Sequence, residues 1–84
     1  MVFGVQFRGT VQPNQSQRWF TFNWPANKQI IWTVVPDSIN ASAAEITYSV
    51  AVQLASATTV TYWITITNLT NAAVDIEARY AILN

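Results

Sequence analysis

The last third of the chain carries an indole, three charged groups and two hydroxyls at alternating positions. If the two segments that hold them are neighbouring strands, these side chains share one exposed face. An indole stacks on the C–H face of a sugar ring, and carboxylates, hydroxyls and a guanidinium bind the sugar hydroxyls. The pattern therefore predicts a binding face for a neutral glycan, made of Trp63, Thr61, Thr65, Asp75, Glu77 and Arg79.

The same residues also fit an ordinary solvated sheet face. Threonine is a common strand former, and the charges could form a cross-strand pair. Trp63 would then pack against a neighbouring loop or another subunit. Composition alone leaves both interpretations open.

Catalysis has little to draw on in this sequence. The chain has no histidine and no cysteine, so a serine has no imidazole base and thiol chemistry is impossible. Asp75 and Glu77 are two residues apart on one strand, about 7 Å, which is a separation used by the paired carboxylates of inverting glycosidases. They point the same way on an exposed sheet with no sign of a cleft. We expect no enzymatic activity.

Metal and cofactor sites are not predicted either. Asp37 and Asn40 lie close together in a long loop and could touch calcium. Their spacing lacks the repeated oxygen ligands of a dedicated calcium site. We expect no metal and no cofactor.

The elements that must position these residues are strands. Alternating apolar and polar residues predict six of them, separated by turns rich in Pro, Asn and Ser. They cover residues 5–11, 17–24, 29–35, 45–54, 59–67 and 74–82. Six strands without a helix predict one all-β domain over residues 1–84, a six-stranded antiparallel β-sandwich, with a small β-barrel as the alternative.

The last two strands are expected to form a hairpin. The turn over residues 68–72 is rich in residues that accept left-handed backbone angles or bond to their own backbone. This hairpin would pair Ile64 with Ile76 and Trp63 with Glu77. It is the pairing that would bring the predicted glycan face together.

The core follows from the strand alternation. Its predicted members are Val5, Phe7, Phe20, Phe22, Ile30, Trp32, Val34, Tyr48, Val50, Val52, Val60, Tyr62, Ile64, Ile66, Val74, Ile76 and Tyr80. Phe20 and Phe22 share this face with Trp24, which places Trp19 on the opposite face with Thr21 and Asn23. Because tryptophan is enriched at the centre of contacts between proteins, Trp19, Thr21 and Asn23 are a predicted subunit contact.

Composition favours association with further copies of the chain. A domain of 84 residues has a thin stability margin, and this one has no disulfide or zinc ligands to reinforce it. Charged residues are 10% of the chain and the net charge is zero, so its surface is weakly self-repelling. The expected partner is therefore another copy, with neutral glycans as a further candidate.

The charge and hydropathy patterns also disfavour several kinds of partner and some compartments. The four basic residues are scattered singly, which disfavours nucleic acid and anionic membranes. No apolar run approaches the roughly 18 residues that span a bilayer, and Met1–Phe7 lacks the features of a signal peptide. We expect a soluble chain that, as written, stays inside the cell or has lost its leader.

Three segments of the chain form a recognisable set: Arg18-Trp19-Phe20-Thr21-Phe22-Asn23-Trp24-Pro25-Ala26, Thr61-Tyr62-Trp63-Ile64-Thr65-Ile66-Thr67-Asn68-Leu69-Thr70 and Glu77-Ala78-Arg79-Tyr80. Together they resemble small bacterial all-β modules of unassigned function. The resemblance covers most of the chain. It implies a self-standing bacterial β module and transfers no functional residue.

Two functional hypotheses follow. The first is a self-associating, lectin-like binding module that presents aromatic side chains to neutral glycans and gains strength by multivalency. The second is a structural subunit that assembles into a symmetric oligomer or filament and binds no small molecule. The positions of Trp19 and Trp63 separate them, because side chains buried between subunits are not available to a sugar.

Overall fold

The computed structural model describes residues 1–84 and is all-β. Its six strands match the alternation of apolar and polar residues along the sequence. They are β1 (Val2–Val11), β2 (Ser16–Pro25), β3 (Ile30–Pro36), β4 (Ile46–Leu54), β5 (Thr59–Asn68) and β6 (Val74–Ile82). No helix capable of crossing a lipid bilayer occurs among these elements.

The strands form two antiparallel sheets of three strands each. Their orders are β1-β6-β3 and β2-β5-β4, and the sheets do not close into a barrel. The predicted sandwich is therefore confirmed. Among consecutive strands, only β4 and β5 are hydrogen-bonded neighbours, so most connections pass from one sheet to the other.

The predicted hairpin between the last two strands was wrong. β5 is the central strand of one sheet and β6 is the central strand of the other. Ile64 pairs with Trp19 and Val50, and Ile76 pairs with Gly9 and Pro36. Residues 69–73 cross between the sheets instead of turning back within one.

Asn68 explains why the chain crosses at this point. Its side chain is 1% exposed, and its Nδ2 donates to the carbonyl of Val11 at 3.0 Å and to that of Ala72 at 2.7 Å. Its Oδ1 accepts from the backbone N–H and the hydroxyl of Thr70, at 2.9 and 2.8 Å. A buried amide with all these partners links the end of β5 to β1 in the opposite sheet and shapes the crossing loop.

The core lies between the two central strands. Its buried apolar members are Val11, Trp32, Val34, Val60, Tyr62, Ile64, Ile66, Val74, Ile76 and Ala78. Phe7, Trp19, Trp24, Ile30, Ile46 and Tyr80 pack against them and are partly buried. Most predicted core positions are confirmed, because β5 and β6 follow a simple alternation.

Three predicted core residues point outward instead. Val5 is paired with Arg79 and faces solvent, while Phe20 and Phe22 are 57% and 61% exposed. Tyr48, Val50 and Val52 also remain more than a third exposed, because β4 is an edge strand that the other sheet covers incompletely.

A β-bulge reverses the faces of the second strand. Between Thr21, opposite Tyr62, and Trp24, opposite Val60, β2 holds one residue more than β5. Asn23 takes the left-handed backbone angle within it, with φ 65°. The extra residue lets both Thr21 and Trp24 face inward, together with Trp19, and leaves Phe20 and Phe22 outside.

Candidate functional site

The predicted glycan face is divided between the two outer surfaces of the sandwich. Trp63 and its threonine neighbours belong to β5 in the β2-β5-β4 sheet. Asp75, Glu77 and Arg79 belong to β6 in the other sheet. Stacked sheets lie about 10 Å apart, so these two groups face solvent on opposite sides of the molecule. Thr61 is buried, whereas Thr65 is partly exposed.

The outer surface of the β2-β5-β4 sheet carries three neighbouring aromatic side chains, Phe20, Phe22 and Trp63, which we call the aromatic cluster. Phe20 and Trp63 are paired across β2 and β5, with ring centroids 5.1 Å apart. Phe22 lies two residues further along β2, with its ring centroid 6.0 Å from that of Phe20. The cluster is a continuous aromatic surface with the two phenylalanines most exposed.

Trp63 is the least available member of the aromatic cluster. The guanidinium carbon of Arg18 lies over its ring, 5.1 Å from the centroid, in a cation–π arrangement. Its indole N–H donates to Oε1 of Gln53 at 2.9 Å. Arg18 and Gln53 therefore hold the indole in place and supply the polar groups nearest the cluster.

The outer surface of the β1-β6-β3 sheet holds a charge network centred on Glu77. One of its oxygens accepts from Arg8 at 2.9 Å, and the other accepts from Nη2 and Nε of Arg79 at 2.8 and 3.1 Å. These bonds, led by those from Arg79, hold the pKa of Glu77 below its usual range, against a smaller opposing effect of desolvation. Beside it, the hydroxyl of Thr10 donates to Asp75 at 2.5 Å.

A shallow groove of about 550 Å³ runs beside this network. Its lining is mainly apolar and consists of Phe3, Gly4, Val5, Thr33, Arg79, Tyr80 and Ala81. Phe3 and Val5 are exposed on β1, and Ile31 is exposed on the neighbouring face of β3. Both outer surfaces of the sandwich therefore combine exposed apolar side chains with a few polar ones.

The predicted subunit contact is mostly internal. Trp19 lies between the sheets and stacks on Phe7, with centroids 5.3 Å apart. Thr21 is buried, and its hydroxyl accepts from Nε1 of Trp24 at 2.9 Å and from Nε2 of Gln6 at 3.3 Å. Only Asn23 is exposed. The three residues therefore do not form one exposed surface, because Trp19 and Thr21 face inward and Asn23 lies in the bulge.

Sequence reasoning missed Phe20 and Phe22 as surface residues. Strict alternation assigns them to the core with Trp24, and the bulge between Thr21 and Trp24 breaks that alternation. Asn23 is the signal that could have revealed it, because asparagine is among the residues that best tolerate a left-handed backbone angle.

The interior holds its own aromatic group at one end of the sandwich. Trp32 contacts Trp24, Tyr62 and Tyr80, with centroids between 5.5 and 6.4 Å apart. Burial raises the pKa of the Tyr62 hydroxyl, so this group stays neutral. Packing of the core accounts for these four residues.

No set of three or more histidine, cysteine, aspartate or glutamate side chains is placed to hold a metal ion. The residues placed for recognition are thus the aromatic cluster with Arg18 and Gln53 on one surface, and the Glu77 network with its groove on the other. No family model, curated protein or solved structure matches the chain.

Proposed function

We propose that this protein is a non-enzymatic β-sandwich that functions by association, with further copies of the same chain as its principal partner. The observation that carries the proposal is the organised exposure of large apolar side chains. They form the aromatic cluster on one outer surface and line the groove on the other. Contiguous exposed apolar surface is typical of interaction sites.

The charge distribution supports the same proposal. Few charges interrupt the exposed apolar side chains, and the net charge is zero. Two copies therefore meet without strong repulsion, and each Å² of apolar surface that they bury contributes roughly 25 cal/mol.

The carboxylates support the non-enzymatic part of the proposal. Both oxygens of Glu77 are engaged by arginines, and its pKa is lowered. A general acid in a glycosidase needs a raised pKa, which is the opposite shift. Asp75 lies on the same open sheet face and accepts a hydrogen bond from Thr10.

Sedimentation equilibrium from about 1 to 100 μM tests self-association, a range that brackets the micromolar affinity of weak complexes. We expect an oligomer that dissociates on dilution. We also expect little change when NaCl is raised to 1 M, because apolar contacts are not screened by salt. A single monomeric species over the whole range would refute the proposal.

A second candidate, neutral glycan binding, is favoured by one observation. The exposed rings of Phe20 and Phe22 lie beside Arg18 and Gln53, so that apolar stacking surface and hydrogen-bonding groups occur together. This site replaces the divided face predicted from the sequence. It places the sugar on the phenylalanines, because Trp63 is already covered by Arg18.

A glycan array distinguishes the second candidate. We expect binding by the wild type and its loss in Phe20→Ala and Phe22→Ala. Ile31→Ala is the matched control, because it removes an exposed apolar side chain from the opposite outer surface. A folded wild type that binds no glycan, or equal binding by all three variants, would exclude this site.

A further inference from the structure

Four strands lie at sheet edges, and three of them carry features that block pairing with another chain. β1 has a bulge between Val5 and Phe7, and β2 has one between Thr21 and Trp24. Each of these two strands also carries an arginine. Bulges and charges are common ways to protect an edge.

The third edge, β3, is short and partly covered. It has seven residues and ends at Pro36. The hydroxyl of Tyr48 reaches it from the other sheet and donates to the carbonyl of Trp32 at 3.4 Å. Pairing along β3 would therefore meet a proline and an occupied carbonyl.

β4 has none of these protections. Its nine residues, ITYSVAVQL, include no charge, no proline and no glycine. It pairs with β5 in unbroken register from Ile46 opposite Asn68 to Leu54 opposite Val60. A long, regular and uncharged edge of this kind is a ready template for another strand.

The backbone groups on the free side of β4 can be assigned from the bonds at its two ends. The carbonyl of Glu45 accepts from Leu69, and the N–H of Ala55 donates to Thr59. Backbone groups alternate in direction along a strand, so the odd-numbered residues bond to β5. The even-numbered residues direct their N–H and C=O groups to the free edge. They are Ile46, Tyr48, Val50, Val52 and Leu54.

The same five residues carry an apolar row on the side that faces the other sheet. That sheet covers the row incompletely: Tyr48 and Val50 are each 37% exposed, and Val52 and Leu54 are each 67% exposed. The unpaired backbone edge and the exposed apolar row thus coincide on one strand. A partner strand that joined here would form hydrogen bonds with the unpaired backbone groups and would extend the apolar row.

We infer that β4 pairs antiparallel with β4 of a second copy, about a two-fold axis at Val50. The inference rests on the proposed self-association and names the surface that performs it. Val50 is the midpoint of the strand, so this register pairs all nine residues. It joins two three-stranded sheets into one continuous sheet.

The register keeps both faces of the sheet consistent. Tyr48 lies opposite Val52 of the partner subunit, and Ile46 lies opposite Leu54 of the partner subunit. On the other face, Thr47 lies opposite Gln53 of the partner subunit, where a hydroxyl and an amide can bond. The apolar rows of the two copies therefore meet, and on the other face Ser49 lies opposite the small side chain of Ala51 of the partner subunit.

A second copy is the occupant that this surface fits best. β4 offers no charge with which to select a charged peptide. Its apolar row is arranged symmetrically about Val50, which gives a two-fold interface the same surface on both sides.

The first experiment adds a charge at the edge. Val52→Lys places an ammonium in the apolar row at a position that is already largely exposed, so the subunit should still fold. We expect the dimer Kd from sedimentation equilibrium to rise at least about tenfold. The matched control is Ala57→Lys, which adds the same charge in the exposed loop between β4 and β5, outside the pairing strand. Its Kd should stay within about threefold of the wild type.

The second experiment tests the register. The chain has no cysteine, so a single introduced cysteine can form a disulfide only with the same cysteine of a second copy. Under mild oxidation, we expect Val50→Cys to form a covalent dimer, because directly opposed Cα atoms are about 5.5 Å apart and a disulfide needs about 4.4–6.8 Å. Ala51→Cys should link at least about tenfold more slowly. In this register the two introduced cysteines are diagonal neighbours across the strand pair, about 7–8 Å apart.

The outcomes separate this inference from the broader proposal. A wild type that stays monomeric would refute both. A wild type that associates, with Val52→Lys unchanged and no crosslink at Val50, would refute pairing through β4. Self-association through an outer surface would then remain.

Discussion

Trp19 and Gly9 face each other across the sandwich, and the indole occupies the space where a Cβ atom would lie at residue 9. A Cβ built on Gly9 would be 2.6 Å from Cζ2 of Trp19 and 3.3 Å from its Cε2. Trp19 also stacks on Phe7, so the ring contacts both a phenyl group and the bare backbone of β1. The glycine in β1 is thus what allows the bulged second strand to turn a tryptophan inward.

Gly9→Ala should destabilise the protein by about 1–3 kcal/mol, because the added methyl group overpacks this contact. Carbon atoms normally approach to about 3.5–4.0 Å, and the indole is also held by stacking on Phe7. Urea unfolding followed by tryptophan fluorescence measures the change in the free energy of unfolding.

Gly4→Ala is the matched control on the same strand. Its Cβ would lie 3.0 Å from the hydroxyl oxygen of Tyr80, at the far end of a flexible side chain. We expect a smaller loss than for Gly9→Ala. Equal losses would mean that the glycines act through chain flexibility and not through contact with Trp19.

Asn68→Ala should cost about 2–3 kcal/mol, because it removes a fully buried amide and its hydrogen bonds, including the buried bond to the carbonyl of Val11. The carbonyls of Val11 and Ala72 both lose their bond to Nδ2. Thermal unfolding should show a lower Tm, and the loss reports on the crossing between β5 and β6.

Asn71→Ala is the control within the same loop. Asn71 is exposed and its side chain makes no hydrogen bond, so its removal should change the stability by less than about 0.5 kcal/mol. A large effect at Asn71, or none at Asn68, would contradict the role assigned to the buried amide.

These residues show how far the sequence leads. Alternation in β5 and β6 identified the strands and most of the core, because an inward side chain at every second position is a local property. It could not identify the partner of β5. The long-range bond that accompanies the crossing, from Asn68 to Val11 of β1, joins residues 57 positions apart and leaves no local pattern.

The candidate site was harder to predict for the same reason. The site predicted from the sequence required Trp63 and Glu77 on one surface, but the crossing loop places them in different sheets. The site in the structure requires Phe20 and Phe22 on the outer surface, and one extra residue in β2 places them there. A single insertion in a strand exchanges its two faces, so small local irregularities govern which aromatics are exposed.

Glu77→Gln should lower stability at neutral pH and have progressively less effect in acid. The arginines lower the pKa of Glu77 in the folded protein below its value in the unfolded chain. The stabilisation is therefore fully present above the unfolded pKa, about 4.3, and is lost as the pH falls through the lower folded pKa. Urea unfolding of wild type and variant from pH 7 to pH 2 measures this convergence.

Glu45→Gln controls for the amide substitution itself. Glu45 accepts a hydrogen bond from Ser38 and forms no ion pair, unlike Glu77. The difference in the free energy of unfolding between Glu45→Gln and the wild type should not shrink in the same way as the pH falls. A Glu77→Gln difference that stayed constant from pH 7 to pH 2 would show that the arginine pairs do not contribute to stability.

Trp24→Phe should cost more than Trp32→Phe, by about 1–2 kcal/mol, although Trp32 is the more deeply buried. The two indoles contact each other edge to face, 5.5 Å apart. Nε1 of Trp24 donates to Thr21 at 2.9 Å, whereas Nε1 of Trp32 is buried without a partner. Phenylalanine removes a useful donor at one position and an unsatisfied one at the other.

The comparison is internally matched, because both variants delete the same atoms from neighbouring rings. If burial alone set the cost, Trp32→Phe would be the more destabilising. Urea unfolding with equal m-values decides the order. The hydroxyl of Thr21 also accepts a hydrogen bond from Gln6 of the other sheet. The reverse order would mean that the bond from Trp24 to this hydroxyl adds little to stability.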